Sequence, residues 1–559
     1  MAFSTRDVKL LKERFGQAQS DRSVWEGHAQ DIIQYMMPFR PDILWPSTEP
    51  QGRRKMDWIF LSHAIHAGEL FAAGMASRMA NQAIQWFKVR TEQEGLENDH
   101  EVKGWLEAVE KLFYRVFDKS NFYTADHEAY IDDAFLGTSA IFIGSHPRMK
   151  VYYESLNIGE CYPALNQYGQ IDRMFRKFGI TARQAEQKFG RENLSERIRG
   201  YLDGNKPDTM VELLHAVEPR EDRIPGSRTR EAMPWSDVYV EYDGDKVLRE
   251  GGFNEFPYVV TRYYAPPGHA MGRGPGMVAL PSVKELQKKR LDIMKAGEKL
   301  LDPPLLLPNE GFIGPVIKLT PGGVNFINAD GSMQDKIGVF PVAGAANLGY
   351  TDEDMERTKN EISAIFFNDL MLLAMDKEMT ATEFIRLAQE KMQMLGPFLG
   401  RLMTERYNPV FVRTFNILWE QGLVPPPPMI LMAYGGRLRI EFVSPLAKAQ
   451  KAAASQGIIQ TAGFLEQVMQ IDPQAADRLN IEGAVVQVAE NSGWPQEFIR
   501  SDEEVAKIRK ARAQAQQAQQ VMAAAGEAAK VLPHLSKAPE AGSPIGQLQE
   551  LLKTGAGRA

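Results

Sequence analysis

Cysteine is nearly missing from this 559-residue chain, and so are several other common sequence features. The single cysteine, Cys161, excludes an intrachain disulfide and gives no indication of a thiolate metal cluster. We expect it to be a buried free thiol in a protein made in a reducing, cytosol-like compartment. Residues 1–7 (MAFSTRD) do not predict a signal peptide, and no run of 18 apolar residues predicts a membrane span.

Motifs of the common nucleotide-binding and catalytic classes are also missing. Neither a GxxxxGK[ST] phosphate loop nor a GxSxG nucleophile motif occurs in the chain. Residues 272–276 (GRGPG) lie between a predicted strand and a predicted helix, but their spacing differs from that of a dinucleotide-binding turn. We interpret these glycines as a sharp turn into the helix, and we predict no cofactor and no catalytic residue.

Positive charge is not in excess. The chain has 65 Lys and Arg against 72 Asp and Glu, which gives a formal net charge of −7. A protein that grips DNA through its phosphates is usually basic, so tight nonspecific DNA binding is not expected as its main activity. A mildly acidic surface is compatible with DNA that passes by without adhering.

The periodicity of apolar residues predicts an α+β protein that is mainly helical and large enough for several domains. Helices are predicted over residues 4–36, 57–80, 101–118 and 121–138. Strands are predicted at 140–143, 150–153, 171–175, 238–240, 258–260 and 438–442. Thr181 and Gln184 fit a capping box, and Gly190 fits the position after a helix, so a helical insertion is predicted near 180–235.

The most informative stretch runs from 272 to 422, where long helices surround a short β-rich unit. The first helix continues to about Leu301, because the two prolines after Asp302 end it. Residues 305–349 are rich in Gly, Pro and Val, and a second helix begins at Thr351 and ends near 373. This order is unusual for an enzyme core and suits a ring protein with a pore.

The remaining part is predicted to be almost entirely helical. A third helix runs from about 381 to 421, with kinks expected at Pro397 and Pro409. Residues 446–531 are helical again, and fourteen of the twenty residues in 511–530 are Ala or Gln. Because such a helix has a weak apolar stripe, we expect it to pack against copies of itself.

Lysines on the first of these helices are the candidate functional residues. Lys284, Lys288 and Lys295 share a face by their spacing of four and seven, and Lys299 follows four residues later. Such a stripe suits DNA phosphates or acidic residues of a neighbouring subunit, and it is equally typical of a solvated face. The acidic residues at 352–356 suit a helix N-terminus and offer partners to the lysines.

Two other polar groups have a metal-binding interpretation and a simpler one. His63 and His66 lie three residues apart on a predicted helix, without the carboxylate of an HExxH motif. Asp126, Asp132 and Asp133, with His127 and Glu128, form a denser cluster. We favour packing or surface histidines in the first case and a solvated helix face in the second.

Five segments, taken in order, resemble the portal, or head-to-tail connector, proteins of short-tailed bacteriophages. They are 62–90 (SHAIHAGELFAAGMASRMANQAIQWFKVR), 122–143 (FYTADHEAYIDDAFLGTSAIFI), 272–301, 380–419 and 439–450 (RIEFVSPLAKAQ). The resemblance covers nearly the whole chain. It implies a portal fold with wing, stem, clip and helical crown, which assembles as a dodecameric ring around a DNA channel.

The resemblance also implies a place for each segment. The expected parts are 1–275 for the wing, 276–302 and 350–370 for the two stem helices, 303–349 for the clip, 371–379 for the tunnel loop, 380–445 for a kinked wing helix and strand, 446–535 for the crown and 536–559 for a flexible tail. Lys377 in the tunnel loop joins the four stem lysines as a candidate DNA contact.

The partners that the resemblance implies are double-stranded DNA, the terminase large subunit, tail or adaptor proteins, and scaffolding and capsid proteins, with no membrane. The protein would be assembled in the host cytoplasm and reside in the virion at the portal vertex, for DNA packaging and genome ejection. A metal- or nucleotide-dependent enzyme and a structural adaptor without a pore are the alternatives.

Overall fold

The computed structural model divides the chain into two units, Met1–Lys451 and Ala452–Ala559. The residues that it describes are 5–44, 56–92, 96, 99–221, 223–224, 229–308, 318, 320–327, 338–339, 348–372, 394–433, 438–443, 461, 481–491 and 502–531.

The α-helices of the described residues are numbered here in chain order. In the first unit they are α1 (Thr5–Met36), α2 (His63–Met79), α3 (His100–Lys119), α4 (Phe122–Phe135), α5 (Ala182–Phe189), α6 (Glu196–Asp203), α7 (Pro275–Leu301), α8 (Leu348–Ile365), α9 (Asn368–Met371), α10 (Gly396–Arg401), α11 (Asn408–Glu420) and α12 (Met429–Ala433). In the second unit they are α13 (Ile481–Asn491) and α14 (Asp502–Val531).

The strands of the described residues all belong to the first unit. They are β1 (Phe87–Thr91), β2 (Thr138–His146), β3 (Lys150–Ser155), β4 (Cys161–Leu165), β5 (Ile171–Thr181), β6 (Met210–Pro219), β7 (Trp235–Glu241), β8 (Val247–Phe253), β9 (Tyr258–Arg262), β10 (Leu305–Pro308), β11 (Val324–Ile327), β12 (Gly338–Val339) and β13 (Leu438–Phe442). In the described part they form sheets of order β1–β13, β11–β10–β12, β3–β2–β9 and β4–β5–β6–β7–β8.

The main core of the first unit forms where α2, α3 and α4 pack together and against the sheet β3–β2–β9. Aromatic rings fill its centre. The ring centres of Phe117 and Phe122 lie 4.2 Å apart, and Phe113 stacks on Phe411 with ring centres 4.5 Å apart. Burial of these large rings supplies much of the apolar stabilisation of the unit. The stacking of Phe113 on Phe411 also joins α11 to α3, although the two helices are far apart in the sequence.

Most of the predicted elements are confirmed. Helices α1 to α4 and strands β2, β3, β5, β7, β9 and β13 lie at the expected places. The capping box of Thr181 with Gln184 is present, and Gly190 adopts a φ of +81°. The α+β class with a large helical content is therefore correct.

Strands β4, β6 and β8 were not predicted, and β6 lies inside the predicted helical insertion. That insertion consists of α5 and α6 followed by β6, the central strand of the five-stranded sheet. Its sequence (MVELLHAVEP) is rich in good helix formers and does not alternate, because both faces of its second half are buried. Pairing with β5 and β7 on either side overrides the local preference.

The third helix is interrupted in a way that differs from a simple kink. Within the described residues it consists of α10, a π-helical turn over Leu402–Tyr407, and α11. Pro397 and Pro409 lie at the beginnings of the two α-helical segments, where a missing N–H costs least. Residues 380–393 of the predicted helix lie outside the described part.

The second helix ends earlier than predicted. Helix α8 stops at Ile365, and Phe367 takes the left-handed conformation with φ 55° and ψ 34° before α9 begins. A left-handed residue cannot continue a right-handed helix, so the predicted helix to about 373 is wrong. Between α7 and α8, β10 pairs with β11 in parallel and with β12 in antiparallel orientation, which confirms the β-rich unit.

Candidate functional site

Helices α7 and α8 pack side by side in opposite directions. Ser282 Oγ donates a hydrogen bond to Glu361 Oε1 at 3.0 Å, and Lys289 forms an ion pair with Asp354. Residues later in α7 thus contact residues earlier in α8, which defines an antiparallel hairpin. We call α7 and α8 together the stem hairpin.

The two helices of the stem hairpin carry opposite net charge. Helix α7 has six basic and three acidic residues, whereas α8 has five acidic and two basic residues. Lys289 connects them, because it pairs with Asp354 and also donates to Thr358 Oγ1 at 3.3 Å. The expected pairing of the basic helix with the acidic one is therefore confirmed within one chain, through a lysine that the predicted stripe did not include.

The four candidate lysines of α7 have different surroundings. Lys284 Nζ lies 2.6 Å from Asp31 Oδ2 of α1, and Lys288 Nζ lies 2.8 Å from Asp292 Oδ1 of its own helix. Lys295 is exposed and Lys299 half-buried, and neither forms an ion pair with a described residue. Lys284 is thus engaged inside the chain, and DNA contact stays a prediction for all four. Lys377 lies outside the described residues, as does the rest of 373–379.

The stem hairpin is anchored on the residues around the beginning of α2. Gln287 is buried on α7, and its Oε1 accepts hydrogen bonds from the backbone N–H groups of Phe60 and Leu61 at 2.7 and 2.9 Å. His63 Nε2 lies 3.0 Å from Lys359 O and from Ser363 Oγ of α8. His63 therefore packs between α2 and α8, as we favoured, whereas His66 is exposed.

Arg406, in the π-helical turn, forms the centre of a buried ion cluster. Its guanidinium donates from Nε to Thr261 Oγ1 at 3.0 Å and from Nη2 to Ser139 Oγ at 2.7 Å. It also pairs with Asp133 and, at 3.4 Å, with Asp126 Oδ1. Five N–H donors in a fixed plane suit such a ring of acceptors, and all of the acceptors come from other elements. One side chain thus joins α4, β2 and β9 to the interrupted helix.

The acidic residues of α4 belong to this internal network. Asp126, Asp132 and Asp133 are buried, and Asp132 Oδ1 lies 3.0 Å from Arg40 Nη2. Burial raises the pKa of Asp132 to about 6 and the pKa of Asp133 to about 7, although arginines partly oppose the shift. The solvated face that we favoured is wrong for these three residues. Among the described residues no three His, Cys, Asp or Glu side chains are placed to hold one metal ion, and these carboxylates face arginines.

The glycines at 272–276 allow close packing of two backbones. Gly274 has an extended backbone with φ −107°, and a Cβ added there would lie 2.7 Å from both Asp133 O and Gly137 N. A Cβ on Gly272 would lie 2.2 Å from Gly137 O. We had interpreted these glycines as a sharp turn, which would need backbone angles that only glycine adopts easily. The structure gives a different reason: the backbone at the end of α4 lies so close to them that a side chain would not fit.

Known proteins match this chain over nearly its whole length. The family model of the bacteriophage head to tail connecting protein matches residues 8–499. The chain belongs to this family. The probable portal protein of Bordetella phage BPP-1 is 32% identical over 517 residues, which cover 92% of either chain. The portal protein of Salmonella phage epsilon15 is 32% identical over 539 residues, which cover 94% of this chain and 95% of the relative.

Membership of the portal family confirms the resemblance that the order of segments predicted. The chain functions as a phage portal protein, a virion component at the junction of head and tail. Every described helix is too short or too polar to cross a lipid bilayer. The buried ion cluster is the feature that the sequence did not indicate, because Arg406 and its partners come from distant parts of the chain.

Proposed function

We propose that twelve copies of this portal protein form a ring at one capsid vertex, through which double-stranded DNA enters during packaging and leaves during genome ejection. The stem hairpin is the observation that supports this most directly. The 27 residues of α7 span about 40 Å at 1.5 Å per residue, which is long enough for the wall of a channel. Lys289 links the two helices through its ion pair with Asp354.

In this proposal the parts of the chain have separate tasks. Residues 1–275 and 380–445 form the wing, which meets scaffolding and capsid proteins, and 276–302 and 350–370 form the stem. The clip, 303–349, docks the terminase large subunit and afterwards tail or adaptor proteins. Residues 371–379 form the tunnel loop, and 446–535 form a crown in which α14 packs against its copies. Assembly takes place in the host cytoplasm.

The lysines balance the acidic character of the ring. A channel with a net negative wall repels the DNA backbone and lowers friction, and sparse lysines limit that repulsion. Lys284, Lys288, Lys295, Lys299 and Lys377 are the residues that we assign to this role, and Lys284 and Lys288 also pair with Asp31 and Asp292 at partly exposed positions. Replacement of Lys295 and Lys299 by alanine is expected to leave ring yield unchanged and to alter the amount of DNA packaged per head.

We infer a structural role without catalysis. The enzyme alternative requires a convergent polar site for a nucleotide or metal, and the cluster that came nearest to one, at 126–133, is filled by arginine side chains. The adaptor alternative differs from the portal proposal only in that it forms no pore.

Negative-stain electron microscopy of the purified full chain, with mass measurement, tests the proposal. Twelvefold rings with a central hole are the expected result. A chain that remains monomeric at every concentration tried, including with scaffolding protein added, would overturn it.

A further inference from the structure

The buried cluster around Arg406 contains more negative than positive charge. Its one guanidinium faces the two carboxylates of Asp126 and Asp133, and all three side chains are 2% exposed or less. Arg40 does not offset the excess, because it pairs with a third carboxylate, that of Asp132. A buried charge without a counterion is strongly unfavourable, and a carboxylate in that position is commonly neutralised by a proton.

The two carboxylates differ in how their oxygen atoms are hydrogen-bonded. Asp126 Oδ1 lies 3.4 Å from Arg406 Nη1, and Asp126 Oδ2 accepts a hydrogen bond from the Tyr407 hydroxyl at 3.2 Å. Asp133 Oδ2 accepts from Arg406 Nη2, whereas Asp133 Oδ1 is buried without a hydrogen-bond partner among the described residues. An unpaired oxygen costs less on a neutral carboxyl than on a carboxylate, so the proton belongs on Asp133.

The other groups around this pair do not supply the missing positive charge. The charged and titratable ones are Arg406 and Tyr407 of the π-helical turn, Tyr130, His127 and Asp132 of α4, and Arg40 after α1. Strands β9 and β2 contribute only the uncharged hydroxyls of Thr261 and Ser139, which accept from Arg406. The burial that raises the pKa of Asp133 to about 7 agrees with this charge balance.

Asp133 also lies where the core meets the stem hairpin. Its backbone oxygen is so close to Gly274, directly before α7, that a Cβ on that glycine would lie 2.7 Å from it. Two residues after Asp133, the ring of Phe135 packs on Phe366, directly after α8, with ring centres 5.6 Å apart. A change in the charge of Asp133 therefore acts on both the π-helical turn and the base of the stem hairpin.

We propose that Asp133 carries a proton in the folded protein, and that release of this proton weakens the contacts of α4 with the π-helical turn and with the base of the stem hairpin. With the proton in place, Arg406 and Asp126 form one neutral ion pair. When the proton passes to solvent, the cluster keeps a net negative charge that water does not screen. The junction of core and stem hairpin is thus most stable at low and neutral pH.

Hydrogen exchange of the full chain at pH 6 and pH 9, corrected for the intrinsic pH dependence of amide exchange, tests the proposal. Folding takes up a proton when the folded carboxyl binds it more tightly than the unfolded one, so stability falls as the pH rises to about 7 and then levels off. We expect roughly tenfold faster exchange at pH 9 for the amides of 402–407, as one pH unit below the folded pKa gives. Asp133→Asn should abolish the rise. Asp132→Asn is the matched control, since Asp132 is adjacent, buried and paired with Arg40, and it should keep most of the rise.

Asp126→Asn gives a second test that does not depend on the stability of Asp133→Asn. With one carboxylate left beside Arg406, Asp133 becomes the counterion and no longer needs a proton, so the rise should again be lost. Infrared difference spectra between the two pH values should contain the C=O band of a carboxylic acid that Asp133→Asn lacks and Asp132→Asn retains. Exchange that is equal at both pH values in the wild type, as an ionised Asp133 with a buried water would give, would overturn the proposal. A rise that persists in Asp133→Asn or in Asp126→Asn would overturn it as well.

Discussion

Arg406 donates a hydrogen bond to Asp133 in the interior of the first unit, where neither side chain has solvent contact. The two residues are 273 positions apart, one in the π-helical turn and one in α4. A π-helical turn contains one residue more than an α-helical turn, so it changes the direction in which the side chains of the helix point. Such a turn suits a site where the side chain of Arg406 must point into the core. The pair therefore ties the interruption of the long helix to the core.

Removal of Arg406 should be strongly destabilising. Arg406→Met leaves Asp126 and Asp133 buried without their cation, and such a loss typically costs about 3–5 kcal/mol. Thermal unfolding followed by circular dichroism measures it. Arg401→Met is the control, because Arg401 pairs with Glu405 at a partly exposed position, where a salt bridge contributes about 1 kcal/mol or less.

Replacing the buried carboxylates by neutral amides should restore part of the stability that Arg406→Met removes. Asp126→Asn combined with Asp133→Asn removes both buried carboxylates, so the triple variant is expected to unfold at a higher temperature than Arg406→Met alone. If the triple variant were the least stable of the set, the loss would come from packing and not from unpaired charge.

Gly274→Ala tests the close approach of α4 to the beginning of α7. The added Cβ meets backbone atoms at 2.7 Å, and backbone cannot move aside as a side chain can. We expect a loss of several kcal/mol in stability, seen as little soluble protein or a large fall in unfolding temperature. Gly297→Ala in the same helix has open space around it and should stabilise the protein by up to about 1 kcal/mol.

Asp132 should make stability depend on pH in a definite direction. Its pKa in the folded protein is about 6, above the ordinary value of 3.8, so folding takes up a proton between these pH values. The stabilisation is complete below about pH 4 and is lost as the pH rises through 6, by at most about 3 kcal/mol. Asp132→Asn lacks the titrating carboxyl and therefore this pH-dependent contribution to stability. Its unfolding temperature relative to that of the wild type should rise from pH 4 to pH 7. A constant difference across that range would contradict the prediction.

Lys289 should hold the stem hairpin together more than Lys288 does. Lys289→Met removes contacts to Asp354 and Thr358 across the hairpin, whereas Lys288→Met removes only a pair within α7. Hydrogen exchange of the amides in 352–361 is expected to be roughly two- to fivefold faster in Lys289→Met, as suits a partly exposed ion pair. Equal exchange in the two variants would show that apolar packing alone fixes the hairpin.

Local sequence patterns were sufficient to predict much of the secondary structure. Apolar residues recur at helical spacing in α1 and α3, the Thr181 capping box involves neighbours three residues apart, and Asp302 with two prolines ends α7. All of these depend on interactions within one or two helical turns, so they can be read from residues close in the chain. The order of segments was equally sufficient to indicate the family.

The tertiary structure decided the features that depend on distant residues. Strand β6 forms because β5 and β7 flank it, and Asp126 and Asp133 of α4 are buried against Arg406, which lies 273 positions after Asp133. Gly274 is required by the backbone of Asp133 and Gly137, not by its own conformation. The physical reason is common to all three: burial and pairing energies between remote segments exceed the preferences of any single segment, and a linear sequence does not display which segments meet.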